Sequence, residues 1–169
     1  MDMTKDKSCN NNLLVVALKT ILPYFLAVAI SIGIIFFFNN YYPIVIVSGH
    51  SMDPTLSDGN LLHCTKDISS IDYGDIVVFK QEDARLIKRV IGLPGDTVHI
   101  KDGIIYVNDH MTDYSFETIE NAGVLKDEVH LSADEYICIG DNRNHSRDCR
   151  DFGQIDKDQI QFLVVNKIF

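Results

Sequence analysis

Residues 98–107, with the sequence VHIKDGIIYV, decide the class of fold that this chain adopts. Two four-residue runs rich in Val, Ile and Tyr, Val98–Lys101 and Ile104–Val107, flank the dipeptide Asp102-Gly103. Asp-Gly favours the positive φ angles of a type I′ turn, whose twist matches that of an antiparallel pair of strands. The segment therefore predicts a β-hairpin.

Similar short runs recur through residues 39–169, separated by Gly, Pro, Asn and Asp. Such runs are typical of strands in a domain of many short strands. They predict strands at Ile44–Val47, Leu61–Thr65, Asp75–Lys80, Leu86–Ile91, Thr97–Lys101, Ile104–Asn108, Tyr136–Ile139 and Gln161–Val165. Residues 109–135 are polar and acidic with little pattern, so we expect a long excursion or loop there. The prediction for residues 39–169 is a mainly β fold, a small all-β domain of antiparallel sheets.

The N-terminal part of the chain has a different composition. No Asp, Glu, Lys or Arg occurs from Thr20 to Met52. As a helix, residues 21–38 would be about 27 Å long, close to the roughly 30 Å of a bilayer's hydrocarbon core. A cleaved signal peptide is the alternative, but the small-x-small triplet Ala27-Val28-Ala29 lies in the middle of the apolar run rather than after it.

The charges around this apolar segment predict its orientation. Lys5, Lys7 and Lys19 precede the segment, and no Lys or Arg follows it until Lys66. By the positive-inside rule the N-terminus is cytoplasmic. We therefore expect a cytoplasmic tail at 1–20, a single transmembrane anchor at 21–38 that can extend back to residue 13, and an extracytoplasmic domain at 39–169 in the cell membrane.

Composition excludes one class of partner. The 169 residues include 15 Lys and Arg against 24 Asp and Glu, a net charge of −9. Since residues 1–38 carry three Lys and two Asp, the predicted external domain has a net charge of −10. Nucleic-acid binding requires a basic face, so no nucleic-acid partner is expected.

The external cysteines indicate no metal site. Cys64, Cys138 and Cys149 have spacings that match no zinc pattern, and their odd number allows at most one disulfide. The apolar neighbours of Cys64 and Cys138 favour small core hydrophobes instead.

Two short segments contain residues that could carry out catalysis. Ser51 lies in an irregular turn between Gly49 and Pro54, where an inconsequential loop serine is the simpler interpretation. Lys88 and Arg89 interrupt an otherwise apolar strand, so one of the two should face inward. A buried Lys is driven towards its neutral form and can act as a general base, whereas a Lys on an edge strand merely guards against aggregation.

A third segment, residues 140–153, concentrates three Arg and three Asp. Arg and Asp at this density form hydrogen-bonded pairs that can brace a loop. A calcium loop is the alternative, but it would need a closing Glu that is absent here.

Taken in order, these segments resemble the conserved blocks of bacterial type I signal peptidases, membrane-anchored serine proteases with a Ser-Lys dyad. The matching blocks are SMDPTL at 51–56, GDIV at 74–77, KRVIGLPGD at 88–96 and GDNRNHSRDCRDFG at 140–153. The resemblance implies a signal-peptidase-like fold of coiled antiparallel sheets. It also implies a reaction without cofactor or metal, in which signal peptides of exported preproteins are cut after a small-x-small motif at the lipid bilayer.

The resemblance also assigns roles to individual residues. Ser51 would be the nucleophile and its backbone N–H an oxyanion donor, while Lys88 would be the general base. Gly49 stands where some family members carry a serine that supplies a second donor. The supporting roles fall on Ser146, which would orient the Lys88 amine, on Asp148 and Arg150, which would pair, and on Asp141 and Asn142, which would be structural.

Three alternatives have less support. Ser-His-Asp catalysis is disfavoured because His50 is adjacent to Ser51 in the sequence. In an extended chain, neighbouring side chains point in opposite directions, so these two would diverge. A self-cleaving Ser-Lys repressor-type peptidase, which the resemblance implies has the same fold, does not explain the membrane anchor. A non-catalytic, membrane-tethered β binding module is the third alternative. It would have no need to keep all five of the polar residues Ser51, Lys88, Ser146, Asp148 and Arg150.

Overall fold

The computed structural model describes residues 3–41, 43–114 and 116–169, and the chain divides into two compact units, Met1–Tyr41 and Tyr42–Phe169. The first unit is one helix, α1 (Met3–Tyr41). Its segment Leu18–Phe38 has a mean hydropathy of 2.5 and is long and apolar enough to cross a membrane. The helix predicted at 21–38 is present. Helix α1 also includes most of the expected tail, and its only proline is Pro23.

The second unit is built from two antiparallel sheets, which confirms the predicted mainly β fold. A seven-stranded sheet has the order β1-β2-β11-β3-β4-β9-β10, and a four-stranded sheet has the order β7-β6-β5-β8. The strands are β1 (Ile44–Ile46), β2 (Leu61–Thr65), β3 (Ile76–Gln81), β4 (Ala84–Gly92), β5 (Thr97–Lys101), β6 (Ile104–Val107), β7 (His110–Met111), β8 (Val129–His130), β9 (Glu135–Ile139), β10 (Ile155–Asp156) and β11 (Ile160–Lys167).

The predicted hairpin forms the centre of the smaller sheet. Strands β5 and β6 pair from Val98 opposite Val107 to Lys101 opposite Ile104. Asp102 and Gly103 have φ angles of 53° and 76°, the positive values that a type I′ turn requires. All eight strands predicted from the sequence are present, with ends within two residues of the expected positions.

Residues 109–135 form a long excursion, as expected, but they are not a loop throughout. This segment contributes β7, a 3₁₀ turn at Gly123–Lys126 and β8. Two-residue strands are too short to show an alternating pattern, which is why the sequence does not reveal them. Ile119, Leu125 and Leu131 are buried and attach the segment to the core.

Two apolar clusters stabilise the β unit, and the smaller one positions the turn that bears Ser51. In that cluster Met52 and Leu56, from the turn, pack with Leu62 and Val78 of β2 and β3. The larger cluster joins residues of both sheets. The three cysteines of this unit are free and buried, as expected for core residues.

Candidate active site

Ser51 lies in a tight turn whose neighbours are firmly held. Gly49 has a φ of +94°, a conformation that favours glycine, and its backbone N–H donates to Asp58 Oδ1 at 2.7 Å. Met52 is 1% exposed and Leu56 is 3% exposed, so the turn is anchored to the core on one side. Ser51 itself is half-buried and remains accessible on the other side.

Lys88 of β4 reaches the Ser51 hydroxyl from 37 residues away in the chain. Its amine donates to Ser51 Oγ at 2.7 Å and to the carbonyl oxygen of Ile87 at 3.0 Å. Lys88 is only 2% exposed. Burial lowers the pKa of the Lys88 amine, and the negative charge of Asp148 partly opposes this shift.

This pair of groups can activate a nucleophile. When the amine is neutral, the hydrogen bond between the same two atoms can run in the opposite sense, with the Ser51 hydroxyl donating to Nζ. The amine then accepts the hydroxyl proton as the oxygen attacks an electrophile. Among the described residues, the Ser51 hydroxyl has no other hydrogen-bond partner.

Arg89, the neighbour of Lys88, is also buried, which corrects the expectation that only one of the two cations faces inward. Arg89 is 9% exposed and forms a bidentate pair with Asp141, with N–O distances of 2.8 Å and 2.6 Å. Its guanidinium lies 5.2 Å from the ring centroid of Tyr114 and 5.4 Å from that of Phe116. Both aromatic residues belong to the segment 109–135, whose sequence shows no pattern that would indicate where it packs.

Asn142 hydrogen-bonds to the backbone of the turn that bears Ser51. Its N–H donates to the carbonyl oxygen of Ser51 at 3.1 Å, and its side-chain amide donates to the carbonyl oxygen of His50 at 2.9 Å. Because Asp141 is fixed by Arg89, these contacts connect the strand that carries Lys88 to the turn that carries Ser51. Asp141 and Asn142 thus occupy structural positions at the site.

Asp148 and Arg150 form a second buried, bidentate pair. Arg150 donates from Nε to Asp148 Oδ1 at 2.8 Å and from Nη2 to Asp148 Oδ2 at 2.9 Å. Asp148 also accepts the backbone N–H groups of Gly140 and Arg150, and it caps the short helix α2 (Cys149–Phe152). This ion pair fixes the loop that follows β9 next to Lys88.

Ser146 lies near the site without contacting Lys88 by a hydrogen bond. Its Oγ is shielded from solvent and makes no hydrogen bond among the described residues. A Cβ atom added at Gly140 would collide with both Ser146 Oγ and the carbonyl oxygen of Ser51, so these atoms approach the same point. Lys88 uses two of its three possible N–H donors, which leaves one for a hydroxyl acceptor.

The sequence did not single out Arg143 or Arg89 as parts of the site. Arg143 is 1% exposed, donates from Nη2 to the carbonyl oxygen of Tyr114 at 2.6 Å, and lies 5.4 Å from the ring centroid of Phe116. Burial lowers the pKa of its guanidinium to about 10. The only available signal was the position of both residues inside charged blocks.

His50 is directed away from the nucleophile. Its Nδ1 is 3.0 Å from Asp53 Oδ2, and its side chain is 72% exposed. No hydrogen bond joins the imidazole to Ser51 among the described residues, which agrees with the expected divergence of the two side chains.

A cleft of about 350 Å³ opens beside Ser51 and Lys88. One wall comes from β1 and the residues that follow it, and the other comes from the first half of β4. The lining residues are Ile44, Val45, Ile46, Val47, Ser48, Ser51, Met52, Arg85, Leu86, Ile87 and Lys88. Most of these side chains are aliphatic, so Ser51 borders a largely apolar groove.

A serine hydroxyl next to a buried amine, at the end of a groove in an antiparallel β unit, is the arrangement of a serine peptidase, and the enzyme is a hydrolase of this class. The family profile described as "Signal peptidase, peptidase S26" matches residues 17–167. The chain therefore belongs to the signal peptidase family.

Individual relatives agree with this assignment. Signal peptidase I S of Bacillus subtilis (strain 168) is 33% identical over 157 residues, covering 84% of this chain and 85% of that protein. Signal peptidase I of Bacillus licheniformis is 36% identical over 177 residues, covering 94% of this chain and 90% of that protein. Among solved structures, a signal peptidase I from Enterococcus faecalis V583 matches with 27% identity and a TM-score of 0.46, covering 57% of this chain and 97% of that chain.

Proposed function

We propose that this protein is a membrane-anchored endopeptidase that removes signal peptides from exported preproteins, with Ser51 as nucleophile and Lys88 as general base. The observation that carries the proposal is the 2.7 Å contact between Lys88 Nζ and Ser51 Oγ, made by a lysine that is 2% exposed. Burial lowers the pKa of this amine, and a lysine with a lowered pKa can accept a proton from the hydroxyl.

The reaction has two stages. Lys88 removes the hydroxyl proton while Ser51 Oγ attacks the scissile carbonyl carbon, and the protonated amine then gives that proton to the departing amide nitrogen. An acyl-enzyme ester on Ser51 remains. Lys88 next deprotonates a water molecule, which attacks the ester. The protonated amine returns that proton to Ser51 Oγ as the C–O bond breaks, and the signal peptide leaves with a new carboxylate.

The backbone N–H of Ser51 is suited to stabilise the oxyanion. It has no hydrogen-bond partner among the described residues and can therefore bind the negative oxygen of the tetrahedral intermediate. The N–H of Gly49 cannot contribute, because it donates to Asp58. Ser48 lines the same cleft and is the nearest residue whose hydroxyl could act as the second donor, worth about 2.7–4 kcal/mol in comparable sites.

The two walls of the cleft favour an extended substrate. The Pro43 carbonyl oxygen accepts the N–H of Cys64 in β2, and the Val47 N–H donates to the carbonyl oxygen of Asn60, just before β2. By the alternation of an antiparallel ladder, the backbone groups of Ile44 and Ile46 then point to the opposite side. Residues 84–88 of β4 pair with β3 alone, because β9 pairs only from Arg89 onward. Both strand edges can therefore hydrogen-bond to a peptide added between them.

The aliphatic lining of the cleft also supports the choice of small, uncharged side chains next to the cut. Alternate side chains of an extended peptide would enter the cleft and meet mainly Ile, Val, Leu and Met residues. This is the basis on which we propose cleavage after a small-x-small motif.

Helix α1 supports an anchored enzyme. Its apolar segment Leu18–Phe38 is followed by only twelve residues before Ser51, so Ser51 is tethered to the anchor by a short length of chain. A signal peptide is itself an apolar membrane segment, and the same bilayer would therefore hold both the enzyme and its substrate. We place the N-terminus in the cytoplasm and residues 39–169 on the outer side.

The test is cleavage of an exported precursor by the detergent-solubilised full-length chain, with the new N-terminus determined by mass. Ser51→Ala and Lys88→Ala should each abolish cleavage at the small-x-small site. Ser57→Ala and Lys80→Ala are matched controls, since both residues are exposed and outside the cleft, and both should keep full activity. Unchanged cleavage by Ser51→Ala or Lys88→Ala would refute the assignment of the dyad.

The same assay separates the alternatives. A self-cleaving peptidase would shorten its own chain and leave the precursor intact. A binding module would retain the precursor on an affinity resin without producing a new N-terminus.

A further inference from the structure

A group of metal-ligating side chains lies on the smaller sheet, outside the proposed active site. His99, Asp109 and Glu128 each offer one ligand atom, and these atoms all lie within 4.8 Å of one another. The three residues come from β5, from the turn between β6 and β7, and from the residue that precedes β8.

The register of the sheet explains why these side chains meet. In β5 the buried residues are Val98 and Ile100, so His99 points to the opposite, outer face. Thr97 lies opposite His130 and Val98 lies opposite Val129. Continuing this register by one residue sets Glu128 opposite His99, on the same face of the sheet.

The His99 ring is held in a defined orientation. It stacks on Tyr106, its partner across the β5–β6 pair, with ring centroids 5.2 Å apart and an angle of 7° between the planes. Its Nδ1 atom is shielded from solvent and makes no hydrogen bond in the described part of the chain. Since buried polar atoms are nearly always paired, an imidazole nitrogen without a partner is unusual.

The carboxylates of Asp109 and Glu128 also have no oppositely charged partner among the described residues. Neither Asp109 nor Glu128 forms an ion pair or hydrogen bond within the described residues, although their oxygens lie within 4.8 Å of each other. Two like charges at this separation repel, and a cation between them removes that repulsion. Both side chains are exposed and can therefore rotate towards a shared ligand.

We propose that His99, Asp109 and Glu128 form a binding site for a divalent transition-metal ion, for which zinc is the best match. One imidazole and two carboxylates suit zinc better than calcium or magnesium, which select oxygen ligands alone. With bonds of about 2.1 Å, tetrahedral ligands are roughly 3.4 Å apart, so the exposed carboxylates need to close in only slightly. A water molecule would complete the coordination.

The expected role of the bound ion is to strengthen the smaller sheet. Strand β8 is held by two residue pairs, and the ion would join its start to β5 and to the end of β6. The site is built from residues other than Ser51, Lys88 and the groups that support them. Metal binding should therefore raise the melting temperature and leave peptidase activity unchanged.

The experiment uses the full-length protein in detergent, first stripped with a chelator and then titrated with Zn²⁺ by calorimetry and with Co²⁺ by visible absorption. One saturable site per chain is expected. Asp109→Asn and Glu128→Gln preserve the size of the exposed side chains. Each should weaken Zn²⁺ binding by about 100-fold, because removing a residue that merely supports a metal ligand already lowers metal affinity by about 10–100-fold.

His130→Ala is the matched control, because His130 is an exposed imidazole on the same face whose ring nitrogen is engaged by Thr97 at 2.7 Å. It should leave Zn²⁺ affinity unchanged. Equal affinity in Asp109→Asn, Glu128→Gln and the unmodified protein would overturn the proposal, as would the absence of a saturable site. Precursor cleavage by the metal-free protein is measured in parallel, so failure of the metal site is distinguished from failure of the peptidase assignment.

Discussion

The environment of the Lys88 amine lowers its pKa, chiefly through burial. The side chain is 2% exposed, and although Asp148 lies near enough to favour the cation, burial has the larger effect on the pKa. Asp148 is also committed to a bidentate pair with Arg150, which offsets much of its charge. The site therefore combines a hydroxyl with an amine that can accept its proton at a lower pH than an exposed lysine would allow.

The pH dependence of cleavage should follow from this environment. Deprotonation of Lys88 in the free enzyme should produce a rising acidic limb in kcat/KM, with an apparent pKa below the ordinary 10.5. Lys88→Arg should be inactive at every pH, because a guanidinium stays protonated. The measurement is kcat/KM against pH with a peptide that spans the cleavage site. Activity that falls as the pH rises through this limb would contradict a lysine base.

The same burial predicts a conflict between activity and stability at this residue. Because the folded-state pKa of Lys88 is lowered, the unfolded chain binds the proton more readily, and stability rises with pH between the folded pKa and 10.5. Lys88→Met removes the buried amine and should raise the free energy of unfolding at neutral pH by about 0.5–2 kcal/mol while abolishing cleavage.

Thermal unfolding of the two proteins at several pH values measures this difference. The gap in stability should be largest below the folded-state pKa of Lys88 and should close as the pH approaches 10.5. Lys80→Met serves as the control, since Lys80 is an exposed residue of β3. A destabilised Lys88→Met protein would show that the contacts of the amine outweigh the cost of its burial.

Among the elements, β1 is a three-residue edge strand with an unusually direct role in the proposed function. Ile44 and Ile46 are 62% and 64% exposed, and their backbone groups point away from β2. An open edge of this kind can accept a further strand, and here the cleft next to Ser51 limits that strand to a single extended peptide.

Ile46→Pro tests this use of the edge. Proline removes the outward N–H of residue 46 without removing a hydrogen bond of the β1–β2 ladder. We expect kcat/KM for a peptide substrate to fall about tenfold, which corresponds to loss of one hydrogen bond worth roughly 1.5 kcal/mol. Ile46→Ala keeps the N–H and is the control, and a fall of the same size in both variants would show that the side chain, not the backbone, binds substrate.

The elements also show what the sequence can and cannot reveal. The β5–β6 hairpin is evident because its turn dipeptide and its apolar runs indicate the same structure. Strands β7, β8 and β10 contain two residues each and depend on neighbours distant in sequence, so no local pattern marks them. Gly92 illustrates the same limit, since a Cβ there would approach Val98 and Leu131 to within 3 Å, a contact between sheets that only the fold defines.

At the scale of the whole molecule, the sequence identifies which residues form the candidate site but does not reveal most of the contacts between them. Ser51, Lys88 and residues 140–153 could be selected from the sequence blocks, and the structure brings Ser51 into contact with Lys88 and pairs Asp148 with Arg150. The burial of Arg89 and Arg143 beneath Tyr114 and Phe116 could not be foreseen, because the covering segment carries no regular pattern.

The division of charge between the two units leads to the last prediction, which concerns orientation in the membrane. Residues 1–38 have a net charge of +1 and include three lysines, whereas the β unit is strongly acidic. Because positively charged flanks are retained in the cytoplasm, the β unit should face outward. Protease added to intact spheroplasts should therefore degrade the β unit and spare an N-terminal epitope tag.

Charge reversal offers a control on the cause of this orientation. Replacing Lys5, Lys7 and Lys19 with glutamate removes the positive flank without touching the β unit, and it should increase the fraction of chains whose β unit is protected from external protease. The effect should be smaller than for a protein with short loops, since a folded domain of this size follows the flanking charges less strictly. Protection of the β unit in the unmodified protein would place Ser51 on the cytoplasmic side and would exclude cleavage of exported chains after translocation.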